Sequence, residues 1–201
     1  MAVVATISGT CSEVGKTTLV CDLLARLPGW AAVKVTRGHY RSCGRDPDTC
    51  CVSHLLGDAP RVFADRLDTD VPGKDTARYW AAGAAAVRWV VASHGQEADG
   101  VRRALADLSA YPGILVEGNR ILATCDPALA ILVAHPDQKE VKGTARRILG
   151  RVDALYVPDA AAARSTAADP AAVLGPLPAG WNAPVWGPGD LDAISARLAV
   201  A

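Results

Sequence analysis

A run of β-branched and apolar residues, Val3 to Ile7, leads through Ser8 into Gly9-Thr10-Cys11-Ser12-Glu13-Val14-Gly15-Lys16-Thr17-Thr18, and a leucine-rich stretch reaches from Leu19 to Leu27. A strand that turns through a glycine-bearing loop straight into a helix commits the start of the chain to one unit of a parallel α/β sheet. The backbone N–H groups of such a loop form a nest for phosphate oxygens, and the helix opening near Lys16 adds the positive end of its dipole. In the pattern G-x-x-x-x-G-K-[ST] the lysine reaches the β- and γ-phosphates and the next hydroxyl binds Mg²⁺, roles that fall on Lys16 and Thr17. The first glycine of the pattern falls on Thr10, with Gly9 one residue early. Gly9 to Thr18 are the expected contacts of a nucleoside triphosphate, ATP or GTP. The bland alternative is a turn before a helix with Lys16 solvated, and the flanking strand and helix weigh against it.

The 201 residues fit one α/β domain with a sizeable core. Lys plus Arg and Asp plus Glu number 21 each, so a nucleic-acid partner has no electrostatic support from the whole chain. No apolar stretch approaches a bilayer span, and the start of the sequence lacks the basic flank and cleavage site of a signal peptide. A cytoplasmic protein without a membrane partner is expected. Six cysteines then read as thiols or ligands rather than disulfides.

Apolar runs alternate with helix-like stretches, the pattern of a doubly wound, mostly parallel sheet flanked by helices. Strands are expected at Val3–Ile7, Ala31–Thr36, Arg61–Ala64, Val87–Ala92, Gly113–Val116, Leu129–Ala134, Ala154–Val157 and Pro184–Trp186. Helices are expected at Lys16–Leu27, Thr76–Ala86, Val101–Leu108, Glu140–Leu149 and Leu191–Leu198. Residues 37–60 read as a long polar loop with a short helix near Ser53–Leu56, and the tail from Ala160 as Ala- and Pro-rich chain.

Glu117 closes the buried strand GILV and precedes Gly118. Ligands of open α/β sheets bind outside the carboxyl ends of strands, so this carboxylate should face the phosphate loop. There it would hold Mg²⁺ with Thr17 or orient an attacking group, unless it is a solvated strand-end acid. Lys34 interrupts the apolar run AAVKVT. It either meets an anion near the strand end, with a catalytic role, or marks an edge strand that exposes alternate residues. Asp70-Val71-Pro72-Gly73-Lys74-Asp75-Thr76 places charge around a turn before a helix. Helix capping explains it, and so would Asp70, Lys74 and Asp75 holding phosphates, with Asp70 on Mg²⁺.

His39, Cys43, Cys50, Cys51 and His54 crowd the long loop. Thiolate and imidazole can make a tetrahedral zinc site, but the adjacent cysteines match no familiar zinc spacing. The expectation is a flexible loop facing a substrate or partner, without structural zinc. Cys11 reads as a small filler, and Cys21 and Cys125 have no visible partner.

These residues resemble the molybdopterin-guanine dinucleotide biosynthesis protein B family. DVPGKDTARYWAAGA at Asp70–Ala84 is similar to the family's Asp-x-Pro-Gly-Lys-Asp-Ser/Thr-x-Arg…Ala-Gly-Ala element, and ILVEG at Ile114–Gly118 to its strand ending in Glu-Gly. AVKVTRGH at Ala32–His39 resembles its second strand, with Val35 where a histidine is usual. The loop GTCSEVGKT at Gly9–Thr17 resembles that of dethiobiotin synthetase, which also carries a second-strand lysine. The resemblance covers roughly residues 3–120, and the Cys/His loop is foreign to both families. It implies a P-loop fold, nucleoside triphosphate with Mg²⁺, slow hydrolysis or phosphoryl transfer, and a homodimer. For the protein B family it further implies GTP and a partner in molybdenum-cofactor guanylylation. No Asn-Lys-x-Asp guanine reader is present. The competing expectations are a small-molecule kinase or ligase with an acceptor pocket at Lys34, and a regulator switched by nucleotide or thiol state.

Overall fold

The computed structural model describes residues 2–39, 51–138 and 140–201. In the first half of the chain come β1 (Val3–Gly9), α1 (Lys16–Leu24), β2 (Ala31–Arg37), β3 (Arg61–Phe63), α2 (Arg66–Thr69), α3 (Asp75–Ala81), β4 (Ala86–Ala92) and α4 (Glu97–Asp107). The second half adds β5 (Gly113–Glu117), β6 (Leu129–Val133), α5 (Gly143–Arg146), β7 (Ala154–Tyr156), α6 (Ala160–Ala168), α7 (Pro170–Leu174), β8 (Val185–Trp186) and α8 (Leu191–Ala199). Among the described residues the strands form one eight-stranded sheet in the order β3-β4-β2-β5-β1-β6-β7-β8. All neighbours run parallel except β3, which pairs antiparallel with β4 at one edge.

A parallel sheet needs both faces covered, which explains strands that are apolar almost throughout. Ala5, Ile7, Ala32, Val87, Leu115 and Ile131 point to one face and pack on Leu19 and Leu23 of α1, Tyr79 of α3 and Ile194 of α8. Ala31, Val33, Val90 and Val116 point to the other and meet Val101, Ala104 and Leu108 of α4. On that same side Ala130, Leu132 and Leu155 pack on Ala145 of α5, Ala163 of α6 and Leu174 of α7. Among the described residues no helix is long and apolar enough to cross a membrane.

Three expectations need correction. The helix expected over Thr76–Ala86 ends at Ala81, because Gly83 takes φ 93° and closes a Schellman motif. There the Gly83 N–H donates to Trp80 O and the Ala84 N–H to Tyr79 O, each at 3.0 Å. The helix expected over Glu140–Leu149 is a single turn, α5, followed by a 3₁₀ turn at Leu149–Arg151. In the Ala- and Pro-rich tail, where only a strand at Pro184–Trp186 and a closing helix were expected, two further helices form: Asp159 caps α6 by accepting from the Ala162 N–H at 2.7 Å, and Asp169 caps α7, whose first residue is Pro170.

Candidate active site at the strand ends

The carboxyl ends of β1, β2, β4 and β5 open into a cleft of about 1260 Å³. The segment joining β1 to α1 forms one wall. Gly9 is where that segment folds back on itself, since a Cβ there would stand 2.7 Å from Val14 Cγ1 and 2.8 Å from Lys16 Cδ. Gly15 takes φ 99° and is the N-cap of α1, and no side chain caps that helix. Its first-turn N–H groups therefore carry the positive helix end into the cleft without a side-chain acceptor. Asn119 fixes the base of the loop, accepting from the Gly9 N–H at 2.9 Å and donating to Gly9 O at 2.8 Å. Lys142 reaches over it, its Nζ donating to Ser12 Oγ at 2.8 Å.

Thr10 explains the departure at the first glycine position. Its side chain is fully buried and turned away from the cleft, its hydroxyl donating to Gln138 Oε1 and lying 3.2 Å from Val133 O. A hydroxyl there anchors the loop to the segment after β6, which a glycine could not do.

Across from Lys16 lies a buried ionic network. Lys34 and Glu117 are register partners on β2 and β5, and Lys34 Nζ is 2.5 Å from Glu117 Oε1 and 2.6 Å from Asp75 Oδ2. Thr17 donates to Glu117 Oε2 at 2.9 Å, and the Tyr79 hydroxyl donates to the same oxygen. Glu117 is 1% exposed, so these donors replace the water it has lost. The edge-strand alternative for Lys34 falls, because β2 lies between β4 and β5 inside the sheet. Burial works against the charge on Lys34, but Glu117 and Asp75 more than offset it and raise its pKa above the usual lysine value. Burial likewise opposes the charge of Asp75, yet the hydrogen bond and the charge of Lys34 hold the carboxyl below the usual range. For Lys16 burial wins, aided by Lys34 and Lys142, and its pKa is lowered despite Glu117. Burial, then the Glu117 charge, pushes the Tyr79 phenol well up, so it stays protonated as a donor. A compact anion placed between Lys16, Lys34 and Lys142 would relieve their mutual repulsion.

Of the residues singled out in the sequence, Cys11 to Thr18, Lys34, Lys74, Asp75 and Glu117 line this one cleft. Gly9 and Thr10 support the loop from behind. Asp70 is not among the lining residues. It pairs with Arg66 at 2.9 Å, and Arg66 in turn lies over the Trp80 ring, so part of the charge around that turn builds the α2–α3 corner. His39, Cys51 and His54 line the outer part of the cleft, while Cys43 and Cys50 lie outside the described residues. Among the described residues no group of three or more His, Cys, Asp or Glu side chains could by itself hold a metal ion. Tyr79, Asn119 and Lys142 were not anticipated. Tyr79 follows Asp75 by one helical turn and so shares its face, a spacing visible in the sequence. Asn119 and Lys142 leave no such trace, because their partners are more than a hundred residues away.

Fold and cleft together define an α/β protein with a mostly parallel sheet, helices on both faces and a polar site at the carboxyl ends of its central strands. No protein-family model and no curated protein sequence matches the chain.

Proposed function

We propose that this chain is a P-loop protein that binds a nucleoside triphosphate with Mg²⁺ and hydrolyses it or transfers its terminal phosphoryl group, as the resemblance to the protein B family implies. The reading is carried by the convergence of Lys16, Thr17 and Glu117 at the uncapped N-terminus of α1. Hydroxyl and carboxylate oxygens are the ligands that suit a hard cation, and Mg²⁺ needs few of them because phosphates and water complete its shell. Thr17 and Glu117 would hold the ion, which when bound neutralises charge on the phosphates. Lys16 contacts the β- and γ-oxygens, Lys34 meets the terminal phosphate, and Glu117, held by Tyr79, orients the attacking group. A homodimer acting beside a cofactor-pathway protein belongs to the same resemblance. A small-molecule kinase is the second reading, favoured by a cleft that continues past Lys34 to Phe63 and Trp89. Calorimetric titration with MgATP and MgGTP tests the common core of both. Saturable binding of at least one nucleotide is expected, weakened about thirtyfold in Lys16→Ala as a charge-assisted contact worth about 2 kcal/mol is lost. Binding of neither nucleotide, or equal binding in the variant, overturns the reading.

A further inference from the structure

Lys16, Lys34 and Lys142 all line the cleft, and their charges are not balanced alike. Lys34 is held by two carboxylates, Glu117 and Asp75. Among the described residues neither Lys16 nor Lys142 has a carboxylate in ion-pair contact, and each ammonium group donates to a neutral oxygen instead. Those two oxygens belong to consecutive residues: Lys16 Nζ lies 3.2 Å from Cys11 O, and Lys142 Nζ lies 2.8 Å from Ser12 Oγ. Two unbalanced cations thus converge on one stretch of the loop, the first from α1 and the second from the segment after β6. Burial lowers the Lys16 pKa against the pull of Glu117, and the charges of Lys34 and Lys142 add to the fall, as cations at close range do. The backbone of Lys142 is fixed. Its N–H donates to Thr10 O at 2.9 Å, and its carbonyl accepts from the Ala145 and Arg146 N–H groups at 2.9 and 3.1 Å. Its side chain is exposed and is held, among the described residues, by Ser12 alone. A phosphate oxygen adds Coulomb attraction that the Ser12 hydroxyl does not supply, so the ammonium group exchanges one for the other when a phosphate lies within reach. In the sheet β1 stands between β5 and β6, with β2 beyond β5. Lys34 therefore approaches the loop from one side and Lys142 from the other.

We propose that Lys142 reads the third phosphate: its ammonium group binds the terminal phosphoryl group of the bound nucleotide, opposite Lys34, and sets the preference for triphosphate over diphosphate. This rests on the reading that Lys16 and the N-terminus of α1 hold the phosphates. The terminal group carries more charge than either inner phosphate, and it is the one that ammonium groups on both sides and Lys16 beneath would match. With a diphosphate bound, Lys142 keeps its bond to Ser12. The competing role is a loop anchor, in which Lys142 only holds Ser12 in place and touches no phosphate.

The test is calorimetric titration of the whole chain, wild type and variants, with MgATP, MgADP, MgGTP and MgGDP. Lys142→Gln should weaken the triphosphate about tenfold and leave the matching diphosphate within about twofold. Lys142→Arg, which keeps the charge, should recover most of the triphosphate affinity. Lys16→Ala should weaken both nucleotides, because Lys16 reaches the β-phosphate as well. The diphosphate affinity also reports whether the Lys142→Gln loop is intact, since that substitution leaves the backbone bonds of residue 142 in place. Equal loss of di- and triphosphate affinity in Lys142→Gln would make Lys142 a loop anchor and overturn the proposal. So would no loss of either, or a Lys142→Arg variant no better than Lys142→Gln. These three outcomes leave the nucleotide reading standing, whereas a wild type that binds none of the four nucleotides overturns both.

Discussion

In the inner half of the cleft Glu117 is 1% exposed and accepts from Lys34, Thr17 and Tyr79, whereas in the outer half Phe63 and Trp89 are half-buried and stack on each other. The two halves share one row of the sheet and differ in what holds them. An ionic network buried in low dielectric needs each partner, because removing one strands a charge. An apolar wall tolerates exchange of similar shapes, because dispersion and burial are not directional. Substitutions in the inner half should therefore act strongly on stability and chemistry, and those in the outer half weakly.

Lys34→Met is the most severe way to sharpen that contrast. It leaves Glu117 and Asp75 without their cation and should cost about 3 kcal/mol, read by denaturant unfolding. The pH dependence of that difference has a definite sign. Lys34 has a raised pKa, so its contribution is complete below 10.5 and fades as pH rises through the elevated value. Asp75 has a lowered pKa, so its contribution is present above 3.8 and fades as pH falls through the depressed value. The gap between wild type and Lys34→Met should be flat between these limits and narrow outside them. A gap that is absent at neutral pH would mean the network contributes nothing to folding.

Glu117→Gln comes next. It keeps the shape and removes the charge, and phosphate release should fall about a hundredfold with nucleotide affinity nearly intact. Turnover unchanged in that variant would return Glu117 to a structural role. Tyr79→Phe deletes one hydroxyl from a buried ring and should lower kcat about tenfold while KM stays within about twofold, since Tyr79 acts through Glu117. Equal loss of kcat in a Tyr79→Leu variant that also unfolds earlier would show packing alone at work, so the Phe variant decides. Cys51→Ser, in the outer half, should change neither MgATP affinity nor zinc content. One equivalent of zinc in the wild type, lost in the variant, would instead make the Cys/His segment a metal site.

Those contrasts follow how the sequence encodes each half. The loop Gly9–Thr18, its strand and its helix are continuous in the chain, so spacing and residue type were enough to place Lys16 and Thr17. Strand positions were legible for the same reason, since buried parallel strands are unbroken apolar runs between turns. Asp159 and Asp169-Pro170 are also local signals, of helix starts at α6 and α7, but they were masked by the density of Ala and Pro around them. Strand order and register lie beyond such signals. Lys34 meets Glu117 across 83 residues and Thr10 meets Gln138 across 128, pairs chosen by which strands lie side by side. Whether β2 was an edge strand or an interior one decided if Lys34 was solvated or buried in an ion pair, and alternation along one strand is the same in both cases. The sequence by itself determined the residue types along the loop from Gly9 to Thr18 and at the ends of the strands. The row that carries Glu117, Lys34, Trp89 and Phe63 across four strands was decided by tertiary structure, because register is a property of neighbouring strands and belongs to no single segment.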